Sequence, residues 1–112
     1  MIDVNYIIDK IFHFTKLEEN WDGYGAIPLC VEVYENAKVI LTKINTTPSD
    51  VYPNPHGTLG VEYENDDNFL RIEIGIKAMT YSTPFISKDS VEINEETIAE
   101  LNKFLMFVML KK

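Results

Sequence analysis

The chain has 112 residues, with 46% hydrophobic, 12% aromatic and 25% charged side chains, a globular composition sized for one domain and well away from the disordered regime. Eighteen acidic residues against ten basic ones give a formal net charge of -8, and Arg71 is the lone arginine, so phosphate backbones are repelled and nucleic-acid binding is not expected. The longest apolar run, Phe104 to Leu110, falls far short of the ~20 residues of a membrane span, and no secretory signal is recognisable at the start.

Between Val4 and Leu17, apolar residues recur at Val4, Ile7, Ile8, Ile11, Phe12 and Phe14, which predicts an amphipathic helix of about four turns. His13, inside it, is expected to pack half-buried. The stretch Glu18 to Pro28 carries two glycines and a proline, so an ordered loop follows. Val33, Ala37, Ile40, Leu41 and Ile44 then mark a second helix, from Val31 to Asn45, closed before Pro48.

The middle of the chain switches to period two. Leu59, Val61 and Tyr63 alternate with Gly60, Glu62 and Glu64; Leu70, Ile72 and Ile74 alternate with Arg71 and Glu73. The turn Asn65-Asp66-Asp67-Asn68 joins the two runs. Pairing Glu64 with Phe69 sets Tyr63 opposite Leu70, Val61 opposite Ile72 and Leu59 opposite Ile74. It also sets Glu62 across from Arg71, an opposite-charge pair worth roughly a few tenths of a kcal/mol. A further strand is predicted over Ala78 to Ser82. Val51-Tyr52 reads as an edge strand, and Pro84 to Ser87 as a short extended piece.

Asn94 reads as the N-cap of a last helix, with Glu95 and Glu96 in the first turn where the helix dipole favours anions. Ile98, Leu101, Leu105 and Val108 form its inward stripe. The expected fold is a two-layer α+β domain spanning residues 1–112. Its antiparallel sheet of three or four strands packs against about three helices, in the order α-α-β-β-β-(β)-α.

Two segments carry a resemblance. Asn20-Trp21-Asp22-Gly23-Tyr24-Gly25-Ala26-Ile27-Pro28, ahead of a helix, resembles an "NWDGYGA.P" segment of small uncharacterised bacterial and phage-borne proteins. Pro53-Asn54-Pro55-His56-Gly57-Thr58-Leu59-Gly60-Val61-Glu62-Tyr63, running into Leu70-Arg71-Ile72-Glu73-Ile74, is similar to a hairpin of the same group, with Tyr63 where tryptophan is often seen. The resemblance covers residues 15 to 76. It implies a bacterial, intracellular, single-domain protein and carries over no functional residue.

Several side chains are candidates for function. Trp21, Asp22 and Tyr24 either form a recognition surface on a scaffolded loop, or serve the loop itself: Trp21 plugging the core, Asp22 capping backbone amides, the glycines taking positive φ. His56, in a proline-bounded turn, is either a ligand or general base, or a solvent-exposed turn residue; no second His or Cys stands at metal spacing. Glu62, Glu64 and Glu73 are expected on a solvated outer sheet face, with Asp66 and Asp67 at the turn. Cys30, the single cysteine, permits no intrachain disulfide and no thiolate zinc site, which points to a reducing cytoplasm. No cofactor or metal is expected, and no nucleophile sits beside a base in any recognisable pattern.

The run Phe104-Leu105-Met106-Phe107-Val108-Met109-Leu110 is apolar around the whole helix. Either the helix lies centrally between sheet and other helices, or its far side meets another chain, with Phe104, Phe107 and Met109 as contact residues. The expected function is a non-catalytic protein-interaction module, with antitoxin, immunity or phage-accessory roles suiting the resemblance. Its acidic face or apolar last helix would bind a protein partner of basic character, or a second copy of the chain as a homodimer. The alternative is a small-ligand-binding domain or modest enzyme, with Trp21, Asp22, Tyr24 and His56 lining a site between the Trp21–Pro28 loop and the Pro53–Gly57 turn.

Overall fold

A computed structural model describes residues 3–44 and 46–109. Among these, three helices and five strands follow in the order α1 (Val4–Phe14), α2 (Val31–Lys43), β1 (Asp50–Pro53), β2 (Leu59–Asn65), β3 (Asn68–Ile74), β4 (Ala78–Ser82), β5 (Ser87–Glu92) and α3 (Glu95–Val108). The strands form one antiparallel meander, β1-β2-β3-β4-β5. The protein is an α+β fold, as the alternation of periods predicts, with one strand more than the three or four expected.

The β2–β3 register is the predicted one. Tyr63 faces Leu70, Val61 faces Ile72, Leu59 faces Ile74, and Glu62 faces Arg71. Because side chains alternate across a sheet, this register divides the two surfaces completely. Leu59, Val61, Tyr63, Leu70, Ile72 and Ile74 are buried on one side, joined by Val51, Met79 and Tyr81 from the flanking strands. Helix residues Ile7 and Ile11, Val33, Ala37, Ile40 and Leu41, and Ile98, Leu101, Leu105 and Val108 complete one contiguous core. The other side of the sheet is open, with Glu62, Arg71, Glu73 and Thr80 along it.

Gly60 has a specific role on that open side. The Tyr52 ring lies over it, so closely that a Cβ there would come within 2.2 Å of the ring. The aromatic covers a position that has no side chain of its own. The Tyr52 hydroxyl reaches Glu62 at 2.8 Å.

The ends of the elements follow local chemistry. Asp3 caps α1 by accepting from the Tyr6 amide, and the α3 N-cap Asn94 forms a reciprocal box with Thr97. Helix α1 ends at Phe14, short of Leu17, where the amides of Lys16 and Leu17 donate to the carbonyls three residues back, His13 and Phe14, and the Leu29 amide also takes the Phe14 carbonyl. The predicted last residue of α2, Asn45, lies outside the described residues, as does Leu110.

Two expectations are corrected. The piece expected over Pro84 to Ser87 is a turn through Ile86; the strand starts at Ser87 and runs to Glu92. Thr83 sets the turn, since its hydroxyl accepts from the Phe85 and Ile86 amides while its own amide donates to the Ile86 carbonyl. The strand that follows is almost wholly exposed and lacks the apolar alternation that marks strands; backbone pairing with β4 holds it. His13 is the second correction. It is exposed on α1, its Nδ1 2.8 Å from the Asp9 carbonyl one turn earlier, because the buried stripe of that helix runs through Ile7 and Ile11.

Within the core, the Tyr63 hydroxyl is buried without a hydrogen-bond partner among the described residues, and burial raises its pKa. An unsatisfied buried hydroxyl costs about 1–3 kcal/mol. Tyr63→Phe is therefore expected to raise stability by about 1 kcal/mol, read as a higher urea midpoint with an unchanged slope. A lower midpoint would mean that the hydroxyl is satisfied in solution.

Candidate functional site

Three regions have the residue content of a site: the Asn20–Pro28 loop with the turn it contacts, the open sheet face, and the end of the sheet covered by α3.

The loop is closed on itself. The Asn20 amide donates to the Ala26 carbonyl at 2.6 Å, and the Asn20 side chain accepts from the Gly25 amide at 2.6 Å. Asp22 Oδ1 accepts from the amides of Tyr24 and Ala26 at 2.8 and 3.1 Å. Gly23 and Gly25 take φ values of +80° and +87°, where residues with a Cβ are strained. The Trp21 indole donates to the Ile27 carbonyl at 2.7 Å, leaving the ring half-buried and outside the core, not plugged between the helices. Its polar handle is spent on the far end of its own loop.

The loop and the Pro53–Gly57 turn do meet. The Ile27 amide donates to the Pro55 carbonyl at 2.9 Å, and the Cys30 amide to the Gly57 carbonyl at 3.2 Å. Gly57, at φ +93°, packs so tightly that a Cβ would lie 2.9 Å from Cys30 Sγ and 3.0 Å from Ile27. Backbones bring the two segments together, but their candidate side chains diverge in use. Trp21 and Asp22 hold the loop, Tyr24 is 93% exposed beyond it, and His56 turns toward the sheet.

On the sheet, His56 joins a network that the sequence pattern did not reveal. Its Nε2 lies 2.8 Å from Glu73 Oε2; the Thr58 hydroxyl donates to the same oxygen at 2.7 Å and accepts from Asn54 Nδ2 at 3.1 Å. Glu73, expected to be simply solvated, is thus a bonded carboxylate. The Thr58 hydroxyl and, secondly, His56 hold its pKa below the usual range. One imidazole nitrogen faces both Thr58 and Glu73, whereas base-activated nucleophiles need the hydroxyl and the carboxylate on opposite nitrogens. The arrangement ties the β2 entry to β3. Neighbouring Tyr52 is pushed up to about 12, by burial first and by its bond to Glu62 second. The shallow polar cleft here, of about 240 Å³, includes Tyr52, Arg71, Glu73 and Thr80. Among the described residues, no group of three or more His, Cys, Asp or Glu could hold a metal ion.

The α3 end differs in kind. A groove of about 250 Å³ runs between α3 and the β4–β5 turn, lined by Pro84, Phe85 and Ile86 on one side and Phe104, Phe107 and Val108 on the other. Phe85 is 87% exposed and Phe107 is 72% exposed. Val108 belongs to the buried stripe, and Phe104 packs edge-tilted on Tyr81 at 5.6 Å between ring centroids. The Tyr81 hydroxyl bonds Glu100, one turn before Phe104, and Glu100 also takes Lys88 at 3.3 Å. Of the three α3 candidates, Phe104 and Phe107 line the groove; Met109 stands about 200° around the helix from Phe107 and does not. Helix α3 is thus neither central nor wholly solvated, with one stripe in the core and one flank open.

Sequence reasoning missed Pro84, Phe85 and Ile86 as site residues. The available signal was a phenylalanine and an isoleucine directly after a Thr-Pro turn start, with no periodic partner to pack against.

No family model matches the chain, and no curated protein or solved structure is found to be similar to it.

The polar groups give two expected outcomes. Asp22→Ala removes the acceptor for the Tyr24 and Ala26 amides and should cost about 1–2 kcal/mol by thermal or urea denaturation, while Tyr24→Ala stays within about 0.5 kcal/mol of wild type. A loss at Tyr24 as large as that at Asp22 would mean that Tyr24 packs; no loss at Asp22 would mean that it does not brace the loop. For Glu73, a carboxyl pKa depressed in the folded state gives stability that is present above the unfolded value near 4.5 and lost as pH falls through the folded value. The stability gap between wild type and Glu73→Ala should therefore be full at pH 7 and shrink on acidification below about 4.5; a gap independent of pH would show that ionised Glu73 gains nothing from Thr58 and His56.

Proposed function

We propose that this protein is a non-catalytic interaction module that docks a protein partner through the apolar groove between α3 and the β4–β5 turn. The observation that carries this reading is the solvent exposure of Phe85 and Phe107 on facing walls of one apolar groove. Burying a phenylalanine side chain is worth about 1.5–3 kcal/mol, and aromatic anchors in a concave apolar site dominate the energetics of protein interfaces. A solvated pair of this kind is a standing source of binding energy.

The polar candidates support the same reading from the other side. Trp21, Asp22 and His56 are each engaged within the fold, in bonds that brace loops and strands. A cytoplasmic setting is part of the proposal, supported by a lone cysteine, Cys30, half-buried at the start of α2. Among the described residues no helix is long and apolar enough to cross a membrane.

The test is comparative capture from the native host. Wild-type protein and a Phe85→Ser/Phe107→Ser double variant, matched for folding by circular dichroism, are crosslinked in cells and purified. A specific partner recovered with wild type and reduced at least about tenfold with the variant is expected, matching the loss of two anchors. Identical protein profiles from the two baits would overturn the reading.

A further inference from the structure

Charge around the groove indicates what kind of segment fills it. Resting on the docking reading above, we infer that the occupant is an amphipathic helix of a different protein, with a large apolar side chain for the groove and lysine or arginine at the end that meets the β2–β3 turn. Asn68 lines the groove, and Asp66 and Asp67 precede it in that turn. The Asn65 side-chain amide donates to the Val108 carbonyl at 3.1 Å, pinning the turn against the last turn of α3. Asp66 and Asp67 are exposed, and among the described residues neither has a cation within ion-pair distance. Asp66 sits at φ +55°, so the turn is held in a defined left-handed conformation.

Among the described residues no excess of cations along α3 matches this pair of exposed carboxylates: Lys88 is tied to Glu100 at 3.3 Å, and Glu95 and Glu96 open the helix on which Lys103 stands. The apolar groove therefore has exposed carboxylates beside one end, at the β2–β3 turn. A helix laid in it with apolar anchors inward gains most when its basic end meets Asp66 and Asp67. The formal charge of -8 steers such a partner on approach. A second copy of this chain brings the same excess of negative charge, so charge complementarity favours a basic partner over the homodimer.

The probes are two synthetic amphipathic helices with the same leucine and phenylalanine positions, one with lysines on its polar face and one with glutamates, each read by fluorescence anisotropy against the full chain. The lysine helix is expected to bind at least about tenfold more tightly, with affinity falling as salt rises. Asp66→Asn/Asp67→Asn should shrink that preference several-fold and flatten the salt dependence, while Phe85→Ser/Phe107→Ser should abolish binding of the lysine helix. Sedimentation of the free protein accompanies the titrations. Equal affinity for the two helices overturns the inference, as does no binding of either, or lysine-helix binding that survives loss of both phenylalanines. So does a wild-type dimer that Phe107→Ser dissociates, which would put a second copy in the groove. If the host partner is lost with the phenylalanine pair while the lysine helix shows no preference, docking at the groove stands and the basic occupant fails.

Discussion

Everything on the sheet follows from how Leu59–Asn65 pairs with Asn68–Ile74. A slip of β3 by one residue would send Arg71 and Glu73 into the core and Leu70, Ile72 and Ile74 into water. The register is held by several agreeing preferences: six apolar side chains on the helix side, the Glu62–Arg71 pair at 3.9 Å on the open side, and a turn in which Asp66 accepts a left-handed backbone. The ion pair contributes little by itself, since exposed pairs are worth about 0–1 kcal/mol. Burial of the apolar set decides the outcome, and the other terms agree with it.

With that face fixed, each helix has one obligation, to cover apolar sheet surface, and the fold shows what is left when the obligation is met. Helices α1 and α2 present narrow stripes and turn charged residues outward. Helix α3 covers the sheet through Ile98, Leu101, Leu105 and Val108, with Phe104 packed on Tyr81 at the edge of the core, yet Phe107 lies on a flank beyond what the sheet requires. The β4–β5 turn adds Phe85 and Ile86 opposite them. A core needs none of this exposed aromatic surface, which is the surface the docking proposal rests on.

The conspicuous loop sequence Asn20 to Pro28 has the opposite character. Its glycines take φ values of +80° and +87°, its aspartate accepts two amides with one carboxylate, and its tryptophan indole is satisfied at 2.7 Å, all within the loop. Distinctive sequence here reflects a demanding backbone path. The same is true of Gly57, which fits only because it brings no Cβ against Cys30 and Ile27. Trp21 and Asp22 serve the loop's path, while Tyr24 stands 93% exposed beyond it.

Local periodicity by itself determined the helices, the β2–β3 register, the Asn94 cap and the buried stripe of α3, because each depends on residues within a few positions of one another or on a simple alternation. It could not reveal β5, whose residues Ser87 to Glu92 carry no apolar alternation and become a strand only because β4 offers an edge to pair with. Nor could it join His56 to Glu73, 17 residues away, or Phe85 to Phe107, 22 residues apart, since those meetings are set by how the meander folds back and where α3 crosses it. The groove is a product of tertiary packing: each wall is an ordinary apolar segment in the sequence, and only their placement against one another leaves a cleft.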